Sequence, residues 1–80
     1  METIITNHSN TTTIMSPIPG SIVEIRANIG DKLRRDEVVF VIEAMKMEND
    51  IVAPIDGVLK EIKVVVGQTV ETDTILAVIE

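Results

Sequence analysis

Short apolar runs alternate along the chain with breaks marked by glycine and proline, and the spacing of those breaks sets the elements it predicts. "GSIVEIRANIG" (20–30) and "GVLKEIKVVVG" (57–67) read as short strands closed by glycine turns. "EVVFVIE" (37–43) and "TILAVIE" (74–80) are dense apolar runs of strand length, which predicts central strands.

The pattern also repeats. Residues 17–43 align without a gap on residues 54–80, a shift of 54 − 17 = 37 positions. Pro17 meets Pro54, Gly20 meets Gly57, Glu24-Ile25 meets Glu61-Ile62, and Gly30 meets Gly67. Asp36 meets Asp73, and Val41-Ile42-Glu43 meets Val78-Ile79-Glu80. Each half is too short to bury an apolar face alone, so the two must pack on each other, most simply about a pseudo-twofold axis. The expected fold is all-β: about eight short strands in two four-stranded sheets, a sandwich that nearly closes into a flattened barrel.

Composition agrees with that fold. The apolar content is mostly Ile and Val, which are stiff at χ1 and suit pleated surfaces, and Phe40 is the single aromatic residue. Eighty residues make one small domain. The absence of cysteine rules out a disulfide framework and fits a reducing, cytoplasmic setting. A net charge of −6 disfavours nucleic acid or an anionic membrane as partner. No apolar run approaches the roughly 18 residues that span a bilayer, so no direct membrane insertion is expected. No signal peptide is visible.

Residues 1–13, "METIITNHSNTTT", are polar and without a sustained period, and read as a flexible tail or linker ahead of a domain over residues 14–80. The only histidine, His8, falls in that tail and reads as a solvated side chain, not as a metal ligand.

The joint between the two copies is the informative stretch. "EVVFVIE" enters and "MENDIVA" returns with renewed alternation, which places Ala44-Met45-Lys46-Met47 at the reversal of a hairpin with Lys46 near its tip. Turns favour Gly, Asn, Asp and Pro, and this one has none of them. A lone lysine on a turn is ordinarily a solvated charge, and paired methionines are ordinarily core filler. Local rule-breaking of this kind nevertheless marks functional sites. Met is unbranched and adaptable, so Met45 and Met47 can lie along the sandwich edge while the lysine amine projects into water.

"EAMKMEN" (43–49), "SPIPGSI" before it and "APIDGVL" after it resemble the biotinyl (biotin carboxyl carrier) domains of biotin-dependent carboxylases and decarboxylases. The resemblance covers residues 14–80 and implies the hammerhead form of the barrel-sandwich. It places the biotin-accepting lysine at Lys46, flanked by Met45 and Met47, with Glu43, Ala44 and Glu48 as a surface read by partner enzymes. It also implies a non-catalytic carrier. A biotin protein ligase would supply biotinyl-adenylate, whose acyl carbon the neutral Lys46 amine attacks. The attached biotin would then carry CO2 between a biotin carboxylase site and a carboxyltransferase or decarboxylase site. A flanking carboxylate can equally serve solubility alone.

The family often has Gly at the positions held here by Arg35 and Thr72, which predicts a different turn type before Asp36 and Asp73. The gapless repeat leaves no room for the thumb loop of some bacterial carriers, so the thumbless type is expected. Two rivals are set against this reading. A lipoyl domain typically has Asp before its lysine and a small residue after it, where this chain has methionines. An unmodified hammerhead-like adaptor usually separates its halves with a long helical insertion, where this chain has only a hairpin.

Overall fold

The computed structural model describes residues 11–80, and these form strands and their connections with no helix among them. Eight strands follow in order: β1 (Thr12–Met15), β2 (Gly20–Ile25), β3 (Lys32–Leu33), β4 (Val38–Ala44), β5 (Met47–Val52), β6 (Gly57–Ile62), β7 (Thr69–Val70) and β8 (Ile75–Ile79). They make two four-stranded antiparallel sheets, ordered β1-β8-β6-β3 and β5-β4-β2-β7. The dense apolar runs, β4 and β8, are internal strands as their composition predicts.

Exchanging β1 with β5, β8 with β4, β6 with β2 and β3 with β7 turns one sheet order into the other. The backbone bonds that cross between the halves repeat in the same way. The Asp36 N–H donates to the Ala53 carbonyl at 2.8 Å, and the Asp73 N–H to the Ser16 carbonyl at 2.7 Å. The Gly30 N–H donates to Leu59 at 2.8 Å, and the Gly67 N–H to Ile22 at 2.7 Å. Each half therefore satisfies backbone groups of the other, which is why neither half can be a folding unit by itself.

The core follows the repeat as well. Ile14, Ile22, Leu33, Val39 and Ile42 are buried with their counterparts Ile51, Leu59, Val70, Leu76 and Ile79 in one cluster. The largest core side chain, Phe40, has Ala77 as its counterpart, so the bulk missing from one half is supplied by the other.

One sequence expectation is corrected. Strand β1 begins at Thr12, pairing Thr12 with Ile79 and Thr13 with Val78, so the boundary expected at residue 14 lies two residues earlier. Thr12 and Thr13 lack an apolar alternation of their own, and edge pairing to β8 recruits them. The rest of the expected tail, residues 1–10 including His8, lies outside the described residues.

The structure also defines the turns at Asp36 and Asp73. Glu37 N–H donates to Arg34 C=O at 3.0 Å, and Thr74 N–H to Glu71 C=O at 3.2 Å, closing equivalent four-residue turns. Their third residues, Asp36 (φ 71) and Asp73 (φ 68), take the left-handed conformation. The position that suits glycine is thus one residue later than Arg35 and Thr72, as in a type II turn. Asp tolerates that region better than most residues.

Candidate functional site at the β4–β5 hairpin

Strands β4 and β5 pair in register from Ala44↔Met47 through Glu43↔Glu48, Ile42↔Asn49 and Val41↔Asp50. Only Met45 and Lys46 remain to reverse the chain. Both have positive φ, 54° and 64°, the mark of a type I′ turn. That turn twists with its strands, and Asn-Gly is its usual sequence. A non-glycine residue in the left-handed region costs about 1–2 kcal/mol. Two in succession take a sizeable share of the roughly 5–15 kcal/mol by which a domain is stable. Cross-strand pairing on both sides over-determines the turn and keeps it in place.

The consequence is presentation. Lys46 is exposed and has no ion-pair partner among the described residues. Met45 is 94% exposed and Met47 is 65% exposed, so neither fills the core. Met47 instead lines, with Ile18, Pro19, Ala44, Met45 and Asn49, an apolar concavity of about 290 Å3 under the hairpin. Asn49 fixes its own side chain by donating to the Met47 carbonyl at 3.3 Å.

Glu43 and Glu48 are exposed and directly opposite one another. The repeat shows how unusual their surroundings are. Glu24 pairs with Arg26 at 3.0 Å and Glu61 with Lys63 at 2.6 Å, an equivalent bridge in each half. Glu80, the counterpart of Glu43, pairs with Lys60 at 3.7 Å. The counterpart of Lys60 is Val23, so Glu43 has no such neighbour. Among the described residues, neither Glu43 nor Glu48 has an ion-pair partner.

The structure thus brings Glu43, Ala44, Met45, Lys46, Met47 and Glu48 to one end of the sandwich. Sequence reading missed Ile18, Pro19 and Asn49 as neighbours of this end. Ile18 and Pro19 stand in the quoted "SPIPGSI", but only the crossing of the β1–β2 connection under the hairpin gives them a place.

Fold and site together define a small β-sandwich that offers one amine on a tight hairpin. Residues 12–79 match the profile of the family described as "Biotin-requiring enzyme", and the chain belongs to that family. It is a biotin carboxyl carrier domain, a non-catalytic unit whose cofactor is covalently bound biotin. It is 41% identical over 39 residues to the biotin carboxyl carrier protein of Streptococcus mutans, an alignment covering 49% of this chain and 30% of that protein. It is 42% identical over 38 residues to the methylmalonyl-CoA decarboxylase subunit gamma of Propionigenium modestum, covering 48% of this chain and 28% of that subunit. Among solved structures, the urea carboxylase of Kluyveromyces lactis matches with a TM-score of 0.86 and 28% identity. That match covers 95% of this chain and 7% of the carboxylase. A single-chain, multi-domain long-chain acyl-CoA carboxylase matches with a TM-score of 0.83 and 26% identity, over 95% of this chain and 8% of that one. The alignments thus span under a third of each relative's own length, and these relatives are parts of multi-domain or multi-subunit systems. Among the described residues no helix is long and apolar enough to cross a membrane.

Proposed function

We propose that Lys46 is the residue that takes biotin, in an amide to its Nζ, and that the domain presents the group to two successive active sites of a larger carboxylase or decarboxylase. The observation that carries this reading is the placement of Lys46 at the second central position of a strained type I′ turn, exposed and between two solvent-facing methionines. A long primary amine at a hairpin tip fits covalent attachment, because nothing in the turn crowds an incoming acyl group.

In this reading a biotin protein ligase binds the hairpin end and provides the base that removes the proton a lysine carries at neutral pH. The free Lys46 amine attacks the acyl carbon of biotinyl-adenylate, the C–N bond forms, and AMP leaves with the electrons of the acyl–phosphate bond. The group then supplies the CO2-carrying ring nitrogen. The domain contributes rigidity at the turn, reach through the lysine stem, and a high local concentration at each site. Met45 and Met47 give the partner enzymes an apolar contact beside the lysine. Glu43 and Glu48, left without ion-pair partners, give them a negative one. A biotin carboxylase and a carboxyltransferase or decarboxylase are the partners after loading, and a cytoplasmic location goes with this reading.

The test is intact mass of the protein coexpressed with a biotin ligase, beside Lys46→Arg, which keeps the charge and removes the nucleophile. A single biotin adduct on the parent protein and none on the variant is expected. An adduct surviving in Lys46→Arg overturns the assignment, and a lipoyl adduct on the parent protein replaces it with the rival carrier chemistry.

A further inference from the structure

The pseudo-twofold axis gives this domain an internal control, because most features of one half have a counterpart 37 residues away. Differences between counterparts separate what the fold needs from what the hairpin end needs. The hairpin has no counterpart, since the equivalent of β4's end is the end of β8 beside the start of β1. The connection under it, Ser16 to Gly20, does have one: Ala53 to Gly57.

Both connections end on a glycine that lies against the neighbouring strand. A Cβ on Gly20 would stand 2.5 Å from the Glu43 carbonyl oxygen, 2.7 Å from Ile42 Cγ2 and 3.3 Å from Ala44 Cβ. A Cβ on Gly57 would collide with Ile79 Cγ2 and stand 3.2 Å from the Glu80 carbonyl oxygen. The steric demand is therefore common to both halves and falls on counterpart residues, Ile42 and Glu43 in one and Ile79 and Glu80 in the other, but only in the first half does the hairpin turn follow them. Gly20 rests on the last three residues of β4, directly before the turn that holds Lys46. Gly57 rests on Ile79, the last residue of β8, and on Glu80 after it.

The other end of the connection differs in chemistry. Ser16 is 0% exposed and is the one buried polar residue among those described. Its hydroxyl donates to the Ile18 carbonyl at 2.5 Å, fixing the turn of the Pro17-Ile18-Pro19 segment. The main-chain bonds of Ser16 and Ala53 are equivalent, to Thr74 and to Glu37 respectively, at 2.9 Å each. Ala53 cannot make the side-chain bond, and its connection folds without it. The hydroxyl is an addition on the half that carries the hairpin, where Ile18 and Pro19 form the floor beneath Ala44 and Met47.

We propose that Ser16 and Gly20 are positioning residues for Lys46: the serine pins the β1–β2 connection, the glycine seats it against the end of β4, and together they set the pose of the Met45-Lys46 turn. This rests on Lys46 being the modified residue, and extends that reading to two residues that touch neither biotin nor its attachment point. Misplacement of a reacting atom by about 1 Å can cost ~100-fold in rate, so a small tilt of the hairpin is enough to register.

The experiment compares Ser16→Ala, Gly20→Ala and Gly57→Ala in the full 80-residue chain. Backbone amide chemical shifts are measured on the unmodified domains, and initial rates with a biotin ligase and biotinyl-adenylate on the same samples. The proposal expects amides 44–47 to move in Ser16→Ala and Gly20→Ala and to stay in place in Gly57→Ala. It expects kcat/KM to fall about tenfold or more for Gly20→Ala, severalfold for Ser16→Ala, and less than twofold for Gly57→Ala, whatever the order of their melting temperatures. Unmoved hairpin amides in both Ser16→Ala and Gly20→Ala overturn it. So do equal rate losses in Gly20→Ala and Gly57→Ala, which would reduce the effect to stability. Ser16→Ala adopts the residue its own counterpart uses, so it remains informative if Gly20→Ala does not fold. Hairpin amides that move as expected in a parent domain that takes no biotin would leave the positioning intact and sink the biotin assignment instead.

Discussion

Glu43 and Glu48 are direct cross-strand partners on the β4–β5 hairpin, two like charges facing each other one pair below the turn. Like charges directly opposite destabilise a sheet, and no lysine or arginine among the described residues pairs with either. A domain that bridges Glu24, Glu61 and Glu80 to cations leaves this pair, beside Lys46, without an ion-pair partner among the described residues. Two facing like charges are a cost to the free domain, and in the function proposed above they would attract a basic partner surface.

Neutralising one member should therefore separate stability from recognition. Glu48→Gln is expected to raise Tm by a few degrees at low salt and by less at high salt, since exposed charges are screened. The same change should slow biotinylation, mostly through a weaker encounter with the ligase. Thermal melts at two ionic strengths and initial rates check both parts. A variant that gains stability and keeps its full rate would assign the pair to solubility alone.

Exchange of Met45 and Lys46, giving "EAKMMEN", tests presentation against mere availability of an amine. Both central positions of the turn have positive φ, so composition, net charge and the backbone demand of the turn stay the same. The amine nevertheless starts from a Cα displaced by about 3.8 Å. Attack requires approach to about 3–3.5 Å, so biotinylation is expected to fall by orders of magnitude while circular dichroism is unchanged. Equal rates for the two proteins would mean that any lysine on this turn is accepted.

The left-handed aspartates make a matched pair for a stability test. Asp36→Ala and Asp73→Ala each place a Cβ-bearing residue without local hydrogen-bonding ability at φ near 70°, and each should cost about 1 kcal/mol in urea unfolding. Glycine at either site should stay within a few tenths of a kcal/mol of the parent, because its ease at positive φ is offset by its greater freedom when unfolded. Asp36 and Asp73 hold equivalent backbone bonds, so their losses should match. A clear difference between them would show that the halves are not energetically equivalent.

Much of this architecture was legible in the chain. The gapless repeat implied the pseudo-twofold sandwich, because two stretches with the same apolar spacing must bury the same faces, and Ile22 with Leu59 or Ile42 with Ile79 proved to be matched core positions. "EAMKMEN" between the repeats located the hairpin and its lysine, because a strand that ends one copy and a strand that follows must be joined by a reversal. Thr12 and Thr13 were misread as tail because strand character at an edge comes from a partner. Their register 37 residues before Asn49 and Asp50, two β5 residues, was the available signal.

What only the tertiary structure decided are backbone conformations at the turns and relations between residues the sequence does not pair. Asp36 and Asp73 take the left-handed conformation where their N–H groups donate across to the Ala53 and Ser16 carbonyls, a pairing set by the other half of the fold. The opposition of Glu43 and Glu48 depends on a two-residue loop, which the sequence "AMKM" disguises because neither central residue is a usual left-handed one. The seat of Gly20 against Ile42 to Ala44 depends on a connection crossing beneath a hairpin more than twenty residues away. Periodicity reports which face of a strand is buried, since that follows from local alternation. It carries no information on which strand end another segment will touch, because close packing between remote segments is settled only when both sheets are in place.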